Sequence, residues 1–316
     1  MNVVSKDIIS ALFICNGTIS TLVSFIMLCF LLKKKKKNAI YVLVVALAAT
    51  NCIYSISLCF AGIFNFVPLN RHVANFTTPR ICLLSRMHYL IITASARQAP
   101  MFTFFIAVIQ LRNACFVKCN TTNVTLKTII LACGIFLLNI CLCGASVFQI
   151  MCCSFDEHII SAQCLYYDVL SPVLILSNFS IILLLSILSF LLGISTVLII
   201  RSKFSSSHTI REIQSIRQKA IIQKLKIISI AQLLYSCVLA ICTFATNLSF
   251  STYMVVICIS SVYPYFSAGN TVIYANLVIS VIDRLKEIHY NLKKWRNRLY
   301  NSLFHCVSEV SVAPTS

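Results

Sequence analysis

The sequence predicts an all-α membrane protein: a bundle of seven transmembrane helices with an extracellular N-terminus and an interfacial amphipathic helix after the seventh. Three observations predict this fold. Hydrophobic residues make up 59% of the 316 residues and charged residues only 11%, with a mean hydropathy of +0.90. Seven apolar runs are each long enough to cross a bilayer as a helix, which takes roughly 20 residues. Lysine and arginine cluster in alternate gaps between these runs.

The apolar runs follow one another along the chain with polar gaps between them. Their approximate bounds, from run one to run seven, are 8–32, 39–66, 81–111, 128–151, 169–200, 227–248 and 253–282. Run one is longer than the apolar part of a signal peptide, and a lysine block follows it, so we interpret it as a membrane helix. Residues 1–282 therefore form the predicted membrane domain, and residues 283–316 form a cytoplasmic tail.

The distribution of positive charge predicts the orientation. Of the 26 lysines and arginines, 21 lie in the gaps after runs one, three and five and in the tail after run seven. Positive residues favour the cytoplasmic side of a membrane, so the N-terminus is predicted to lie outside. Charges placed in this way are typical of contacts with lipid headgroups rather than with nucleic acid.

The predicted topology sorts the glycosylation sequons. Asn75, which precedes Phe76 and Thr77 in the external gap between runs two and three, is the predicted acceptor. The sequons at Asn16 and Asn178 lie within predicted helices, so we expect both asparagines to stay unmodified.

The cysteines predict one disulfide. Most of the 17 cysteines lie inside apolar runs, where cysteine behaves as a small hydrophobic residue. Cys82 opens run three on the predicted outer side, where oxidation is allowed. We favour Cys164 as its partner because Cys164 lies well inside the loop between runs four and five. Pairing with Cys152 or Cys153, and free thiols, are the alternatives. No repeated C-x-x-C pair with zinc spacing is present, and we expect neither a metal site nor a cofactor.

Polar side chains at the outer end of run three predict a ligand mouth. Arg86, His88 and Tyr89 lie there, and Tyr167 and Asp168 lie near the start of run five. A pocket with a few convergent polar groups is the usual form of a small-molecule site. Arg86 has an alternative interpretation, in which its guanidinium extends to the outer lipid headgroups.

Arg97 is the least expected residue of run three. It lies 15 residues after Cys82, about 22 Å along a helix and past the midplane. An arginine at that depth needs a polar partner, and the candidates are Asn51 in run two, Asn270 in run seven, or water. Pro100 frees a backbone carbonyl one turn back, which predicts a local kink.

The charged residues outside the runs restrict the function further. All eight acidic residues lie in loops, in the tail or at run ends, which argues against a proton-coupled transporter with a buried carboxylate relay. Residues 210–226 form a predicted basic amphipathic helix before run six, and residues 285–299 form a predicted interfacial helix.

This layout resembles the rhodopsin-like G-protein-coupled receptors. Asn51 stands in the place of the aspartate of their L-A-x-x-D motif in helix two. Residues 270–274 resemble N-P-x-x-Y, with Thr271 in place of proline. Gln110 and Arg112 lie where D-R-Y is expected, but the acidic residue is absent, and run six lacks C-W-x-P.

The chain is also similar to nematode serpentine chemoreceptors of the sx class or a neighbouring class, most clearly in residues 218–228. The resemblance implies an odorant- or pheromone-like small molecule, a heterotrimeric G protein and the plasma membrane of a sensory neuron. The expected polar switch is formed by Asn51, Arg97, Asn270 and Tyr274. The expected coupling surface is formed by Gln110, Arg112, Lys224 and Lys226.

A transporter or channel is the alternative function. The chain has only six glycines, no visible inverted repeat and no Gly/Pro pairs of broken helices, which disfavours it. An embedded enzyme is disfavoured because H-E-x-x-H, G-x-S-x-G and paired intramembrane aspartates are missing from the sequence. We therefore expect a receptor that is not an enzyme.

Overall fold

The computed structural model describes a helical chain. The described residues are 3–33, 39–66, 76–115, 121–152, 160–161 and 172–205, with shorter pieces at 223, 227, 230–231, 234, 237–238, 265, 268–269 and 271–275. Its elements are α1 (Val3–Lys33), α2 (Ala39–Phe66), β1 (Phe76–Thr77), α3 (Pro79–Ser85), α4 (His88–Cys115), α5 (Thr121–Cys152), β2 (Ile160–Ser161) and α6 (Pro172–Ser205). The described positions between 223 and 275 are also helical.

Five helices are long and apolar enough to cross a membrane among the residues that the structure describes. They are α1, α2, α4, α5 and α6. This agrees with the predicted all-α membrane protein, apart from the two-residue strands β1 and β2. The bounds predicted for runs six and seven, and the whole tail, lie mostly or entirely outside the described residues.

The helix bounds differ from the apolar runs for a physical reason. Run two and α2 coincide, whereas α5 begins at Thr121, before run four, and α6 continues to Ser205, beyond run five. An apolar run measures the length of chain that lipid surrounds. The helical hydrogen bonds continue into polar flanking residues, because beyond the hydrocarbon core water or headgroups can solvate their side chains.

Run three is two helices rather than one. The hydroxyl of Thr78 accepts a hydrogen bond from the Ile81 N–H, and Pro79 stands in the first turn, so α3 begins at residue 79. At its end the Arg86 N–H donates to the Cys82 carbonyl at 2.9 Å and approaches that of Leu83 at 3.3 Å. Arg86 leaves the helical conformation, with φ −124° and ψ 40°.

The break in run three changes the depth of Arg97. Helix α4 begins at His88 and continues through Pro100, so the interruption lies at Arg86–Met87 and not at the proline. Arg97 is the ninth residue after His88, about 14 Å along α4. Counted from the start of α4, Arg97 is therefore less deep than the roughly 22 Å expected for one continuous helix from Cys82.

Helix α4 is the central helix of the described part of the chain. It contacts α2, α5 and α6, while α2 also contacts α1 and α5. One apolar cluster joins α1, α2, α4 and α5, with Leu43 and Leu47 from α2, Phe102 and Ile106 from α4, and Tyr274. The helical segment 271–275 therefore packs against the same core.

Helices α1 and α2 approach each other closely at two glycines. A Cβ atom added to Gly17 of α1 would lie 2.6 Å from the Cys59 Sγ and 2.9 Å from the backbone oxygen of Ser55. A Cβ added to Gly62 of α2 would lie 2.8 Å from the backbone oxygen of Ser10. Small residues on both helices thus allow the two backbones to meet, as is usual between membrane helices.

A short strand pair and a disulfide hold the segments around α3. Strands β1 and β2 pair antiparallel, so the segment before α3 lies beside the segment after α5. Cys82 of α3 is disulfide-bonded, and its partner lies outside the described residues. Cys152 is a free thiol and is therefore not that partner. The pairing of Cys82 with Cys164 stays a prediction.

Candidate functional site

Four side chains lie close together at the junction of α3 and α4. We call this cluster the α3–α4 corner; it consists of Phe64, Arg86, His88 and Tyr89. The His88 ring stacks on Phe64 of α2 with centroids 5.4 Å apart and planes 6° apart. The Tyr89 ring lies 4.4 Å from the His88 ring. The Arg86 guanidinium carbon lies 5.7 Å from the Phe64 centroid, within the range of a cation–π contact.

Three side chains of the α3–α4 corner, Arg86, His88 and Tyr89, are buried, whereas Phe64 is 42% exposed. Arg86 is only 2% exposed, so the structure supports a place inside the bundle for its guanidinium rather than the alternative of contact with headgroups. His88 is 8% exposed, and its Nε2 has no hydrogen-bond partner within the described residues. Because arginine keeps its charge in proteins, the corner combines a cation, aromatic faces and a polar atom that a ligand can bind. Tyr167 and Asp168, predicted at the same mouth, lie outside the described residues.

Buried hydrogen bonds join α1, α2, α4 and the segment 271–275, and we call these residues the polar layer: Ser20, Thr50, Asn51, Ser55, Gln98 and Thr271. Asn51 Nδ2 donates to the Thr271 hydroxyl. Thr50 Oγ1 donates to Gln98 Oε1 at 3.4 Å. The hydroxyls of Ser55 and Ser20 are 2.8 Å apart. The polar layer thus connects four segments through side chains alone.

The polar layer is partly what the sequence predicted. The expected polar switch grouped Asn51 with Arg97, Asn270 and Tyr274. In the structure Asn51 donates to Thr271, which carries a hydroxyl where the receptor motif has proline. Asn270 lies outside the described residues. The contacts of Thr50 with Gln98 and of Ser20 with Ser55 were missed. Their signal in the sequence is a small or amide side chain inside an apolar run, which is common at interfaces between membrane helices.

Arg97 lies apart from the polar layer. Its Nη2 donates to the Sγ of Cys143 in α5 at 3.5 Å, and the structure does not bring it to Asn51. The next residue, Gln98, faces α2 and contacts Thr50 there. Since successive residues point about 100° apart on a helix with 3.6 residues per turn, Arg97 faces α5 instead. Of the candidate partners of Arg97, Asn51 is therefore not its contact, and Asn270 lies outside the described residues; the Arg97 side chain is buried, at 4% exposed.

The far end of α4 places its two predicted coupling residues differently. Gln110 is 9% exposed, and its Nε2 has no partner among the described residues, whereas Arg112 is exposed. Two positions on a helix point about 200° apart, so Gln110 and Arg112 do not form one surface. The predicted coupling surface therefore loses Gln110. Lys224 and Lys226 lie outside the described residues.

The structure also describes three other residues that the sequence analysis named: Tyr274, Asn16 and Asn178. Tyr274 is 1% exposed and packs in the apolar cluster rather than in the polar layer. Asn16 is 7% exposed and accepts a hydrogen bond from the Tyr265 hydroxyl at 2.6 Å, and Asn178 is 3% exposed. Burial of both asparagines agrees with the expectation that these sequons stay unmodified. Asn75 lies outside the described residues.

Replacing Thr271 with valine tests the bond between α2 and the segment 271–275. The substitution keeps the shape but removes the acceptor of the Asn51 amide. We expect the free energy of unfolding to fall by about 0.6–1.7 kcal/mol, the range for hydrogen bonds between membrane helices. Thermal unfolding in detergent measures the change. Thr196→Val is the control, because Thr196 is equally buried but its hydroxyl donates to Leu192 on its own helix. Equal effects of the two variants would contradict a role for the interhelical bond.

Neither a metal site nor a known relative helps to identify the function from the described residues. Across the described residues, no three His, Cys, Asp or Glu side chains are grouped closely enough to hold a metal ion. Comparison of the chain with models of protein families and with curated proteins finds no match. The function must therefore be argued from the sequence pattern and from the two buried polar groupings that α4 connects.

Proposed function

We propose that this chain is a seven-helix chemosensory receptor that binds a small extracellular ligand and activates a heterotrimeric G protein. The observation that carries the proposal is the polar layer, a set of buried side-chain hydrogen bonds that joins α1, α2, α4 and the segment 271–275. Polar contacts of this kind are few and discrete, so a bundle that contains them can exchange one set for another. Such an exchange is the physical basis of a two-state switch.

The orientation of the proposed receptor rests on charge. The lysines and arginines cluster in the gaps after runs one, three and five and in the tail, which supports an external N-terminus. The five candidate membrane spans are runs one to five of the seven. In this orientation the α3–α4 corner lies on the outer side, where a ligand arrives, and Arg112 lies on the cytoplasmic side.

The α3–α4 corner supports a site for a small, partly polar molecule. It offers two aromatic faces, a cation and the Nε2 of His88 within one cluster. A ligand that hydrogen-bonds His88 and stacks on Phe64 would bind α2 and α4 together. Its differential affinity for the two relative positions of these helices would set the balance between the states.

Signal transfer would follow α4. The α3–α4 corner lies at its first residues, Gln98 of the polar layer lies near its middle, and Arg112 lies in its last turn. A small shift of one rigid helix therefore connects the proposed ligand site to the proposed cytoplasmic surface. Arg112, Lys224 and Lys226 are the basic groups that we assign to the G-protein contact.

A transporter or channel is the competing function. Three buried side chains of α4 each carry an atom without a hydrogen-bond partner in the described part of the chain: His88, Arg97 and Gln110. His88 and Gln110 lie on one side of α4 but about 33 Å apart, and Arg97, between them, points to the opposite side. A continuous polar path along one face is therefore not supported, which favours the receptor.

The proposal is tested by expression in heterologous cells with a calcium or cAMP readout against a panel of small volatiles and water-soluble metabolites. We expect at least one compound to elicit a response that depends on a co-expressed G protein. The same protein in liposomes should show no flux of the active compound. Flux of the compound together with no G-protein response would support the transporter instead.

The external position of Asn75 gives a direct test of topology. We expect the protein from eukaryotic cells to carry one N-linked glycan, so that glycosidase treatment increases its mobility in a gel by the mass of one glycan. Asn75→Gln should remove this shift. Asn123→Gln, in a sequon that the orientation places on the cytoplasmic side, is the control and should leave the shift in place. A mobility shift that depends on Asn123 would show that the orientation is the opposite of the one proposed.

A further inference from the structure

Arg97 belongs to a ladder of polar contacts between α4 and α5. On one rung the Arg97 Nη2 donates to the Cys143 Sγ at 3.5 Å. On the next rung the Asn139 Nδ2 approaches the Met101 Sδ, also at 3.5 Å. Arg97 and Met101 are four residues apart on α4, as Cys143 and Asn139 are on α5. The two rungs are therefore neighbours, separated by about one helical pitch of 5.4 Å.

Both rungs contain a buried polar atom without a partner. Arg97 is 4% exposed, and its Nε donates to no atom of the described residues. Asn139 is fully buried; its Nδ2 also donates to the Ile135 carbonyl at 3.0 Å, but its Oδ1 has no partner in the same set of residues. A buried polar atom without a hydrogen bond costs about 1–3 kcal/mol, and more when it is charged. Two such atoms on adjacent rungs leave the interface of α4 and α5 with hydrogen-bonding capacity that the described residues do not satisfy.

The positive charge of Arg97 cannot be neutralised by α2, α3, α4 or α5. Between Asp7 and Asp156 the sequence contains no acidic residue. Cys143, the observed contact, already lies 3.9 Å from the Leu90 carbonyl, to which its thiol can donate. As a neutral thiol it supplies an acceptor but little counter-charge. A lone cation near the middle of a bilayer is costly unless an anion or water accompanies it.

We propose that the interface of α4 and α5 holds one small monovalent anion, bound by the Arg97 guanidinium beside Asn139. The guanidinium presents five N–H donors in a plane, of which the Nε–H is free in the described structure. Asn139 completes the site through a water that donates one hydrogen bond to its Oδ1 and the other to the anion, since its Nδ2 already donates to the Ile135 carbonyl.

The packing limits the size of the bound group. Below the two rungs, the rings of Phe102 and Phe136 have centroids 5.5 Å apart, so α4 and α5 are in direct contact there. Above them, Cys143 lies within 3.9 Å of the Leu90 carbonyl. Because both rungs are direct contacts between the helices, we expect the bound group to be as small as a chloride ion or the carboxylate of a small acid. Both candidate ligands carry a single negative charge and accept hydrogen bonds. The proposed anion site does not depend on coupling to a G protein.

The test compares anions on the full-length protein in nanodiscs of zwitterionic lipid. Thermal unfolding is followed by circular dichroism in sodium chloride, sodium propionate and sodium gluconate at equal ionic strength. A ligand at a hundred times its Kd shifts the folding equilibrium by about 100-fold, so chloride or propionate should raise the unfolding midpoint saturably over gluconate. A larger effect of chloride identifies an inorganic ion, and a larger effect of propionate identifies the carboxylate of an organic ligand.

Arg97→Gln is the informative variant, with Arg80→Gln as the matched control because Arg80 is exposed on α3 and loses the same charge. We expect Arg97→Gln to abolish the anion effect and Arg80→Gln to keep it. The NMR line width of chloride gives an independent readout: the wild type should broaden the line and Arg97→Gln should not. An anion effect of equal size in Arg97→Gln, or none in the wild type with either anion, overturns the proposal.

Discussion

Replacing Gly17 with valine is expected to prevent α1 from docking on α2 and to remove most of the folded protein. Even the first added carbon would lie 2.6 Å from the Cys59 Sγ and 2.9 Å from the Cys59 backbone nitrogen. Backbone atoms in a helix cannot move aside as a flexible side chain does, so the two helices must separate. We expect a cost of more than about 3 kcal/mol, the upper end for overpacked cores. Such a loss is comparable to much of the stability of an ordinary domain.

The control for Gly17→Val is Gly134→Val in α5. Gly134 is exposed, and an added Cβ would meet nothing within 4 Å. Both substitutions change the helix propensity by the same amount, so the difference between them isolates packing. Fluorescence-detected size-exclusion chromatography of the solubilised protein measures the folded fraction of each variant. A normal elution profile for Gly17→Val would show that α1 and α2 are not packed as described.

Arg97→Leu is expected to abolish signalling without loss of folded protein. Leucine removes a buried charge that has no acidic partner among the described residues, so the thermal stability in gluconate should be unchanged or higher. The response to an active compound should fall by at least about tenfold, equivalent to about 1.4 kcal/mol in the balance of the two states, because Arg97 joins α4, the helix that we assign to signal transfer, to Cys143 of α5. A variant that is as stable as the wild type but does not respond would show that this contact serves signalling rather than folding.

The test of Arg97→Leu measures surface expression and G-protein activation in the same cells. Val108→Leu is the control, because Val108 is 36% exposed on the same helix and outside both buried polar groupings. It should leave expression and response unchanged. A wild-type response in Arg97→Leu would remove Arg97 from the mechanism.

The existence of the membrane helices could be predicted well, because the length of an apolar run reports directly on a membrane-spanning helix. Run two and α2 agree at both ends, 39 and 66. The break at Arg86–Met87 was missed, since no glycine or proline stands there to signal it. The helix ends instead through a local backbone change at Arg86, which the composition of the run does not reveal.

The partners of buried polar residues were harder to predict, because they depend on the rotation of each helix about its own axis. The sequence indicates that Arg97 and Gln98 lie inside the bundle. It does not indicate that Gln98 faces α2 and Arg97 faces α5, since α4 has neighbours on several sides. A helix at the surface has a polar face, from which its rotation can be predicted. A central helix is buried on all sides and has no such face. The same reason explains why Gln110 was placed on the surface.

Nucleotide exchange on a purified heterotrimeric G protein tests the central claim most directly. The full-length protein in nanodiscs is mixed with the G protein and with a compound that is active in cells, and GTPγS binding is measured. We expect the compound to accelerate exchange with the wild type and with Val108→Leu, and to have no effect with Arg97→Leu. Exchange that stays at its basal rate with the wild type, while the same protein moves the compound across liposomes, would contradict the assignment as a receptor.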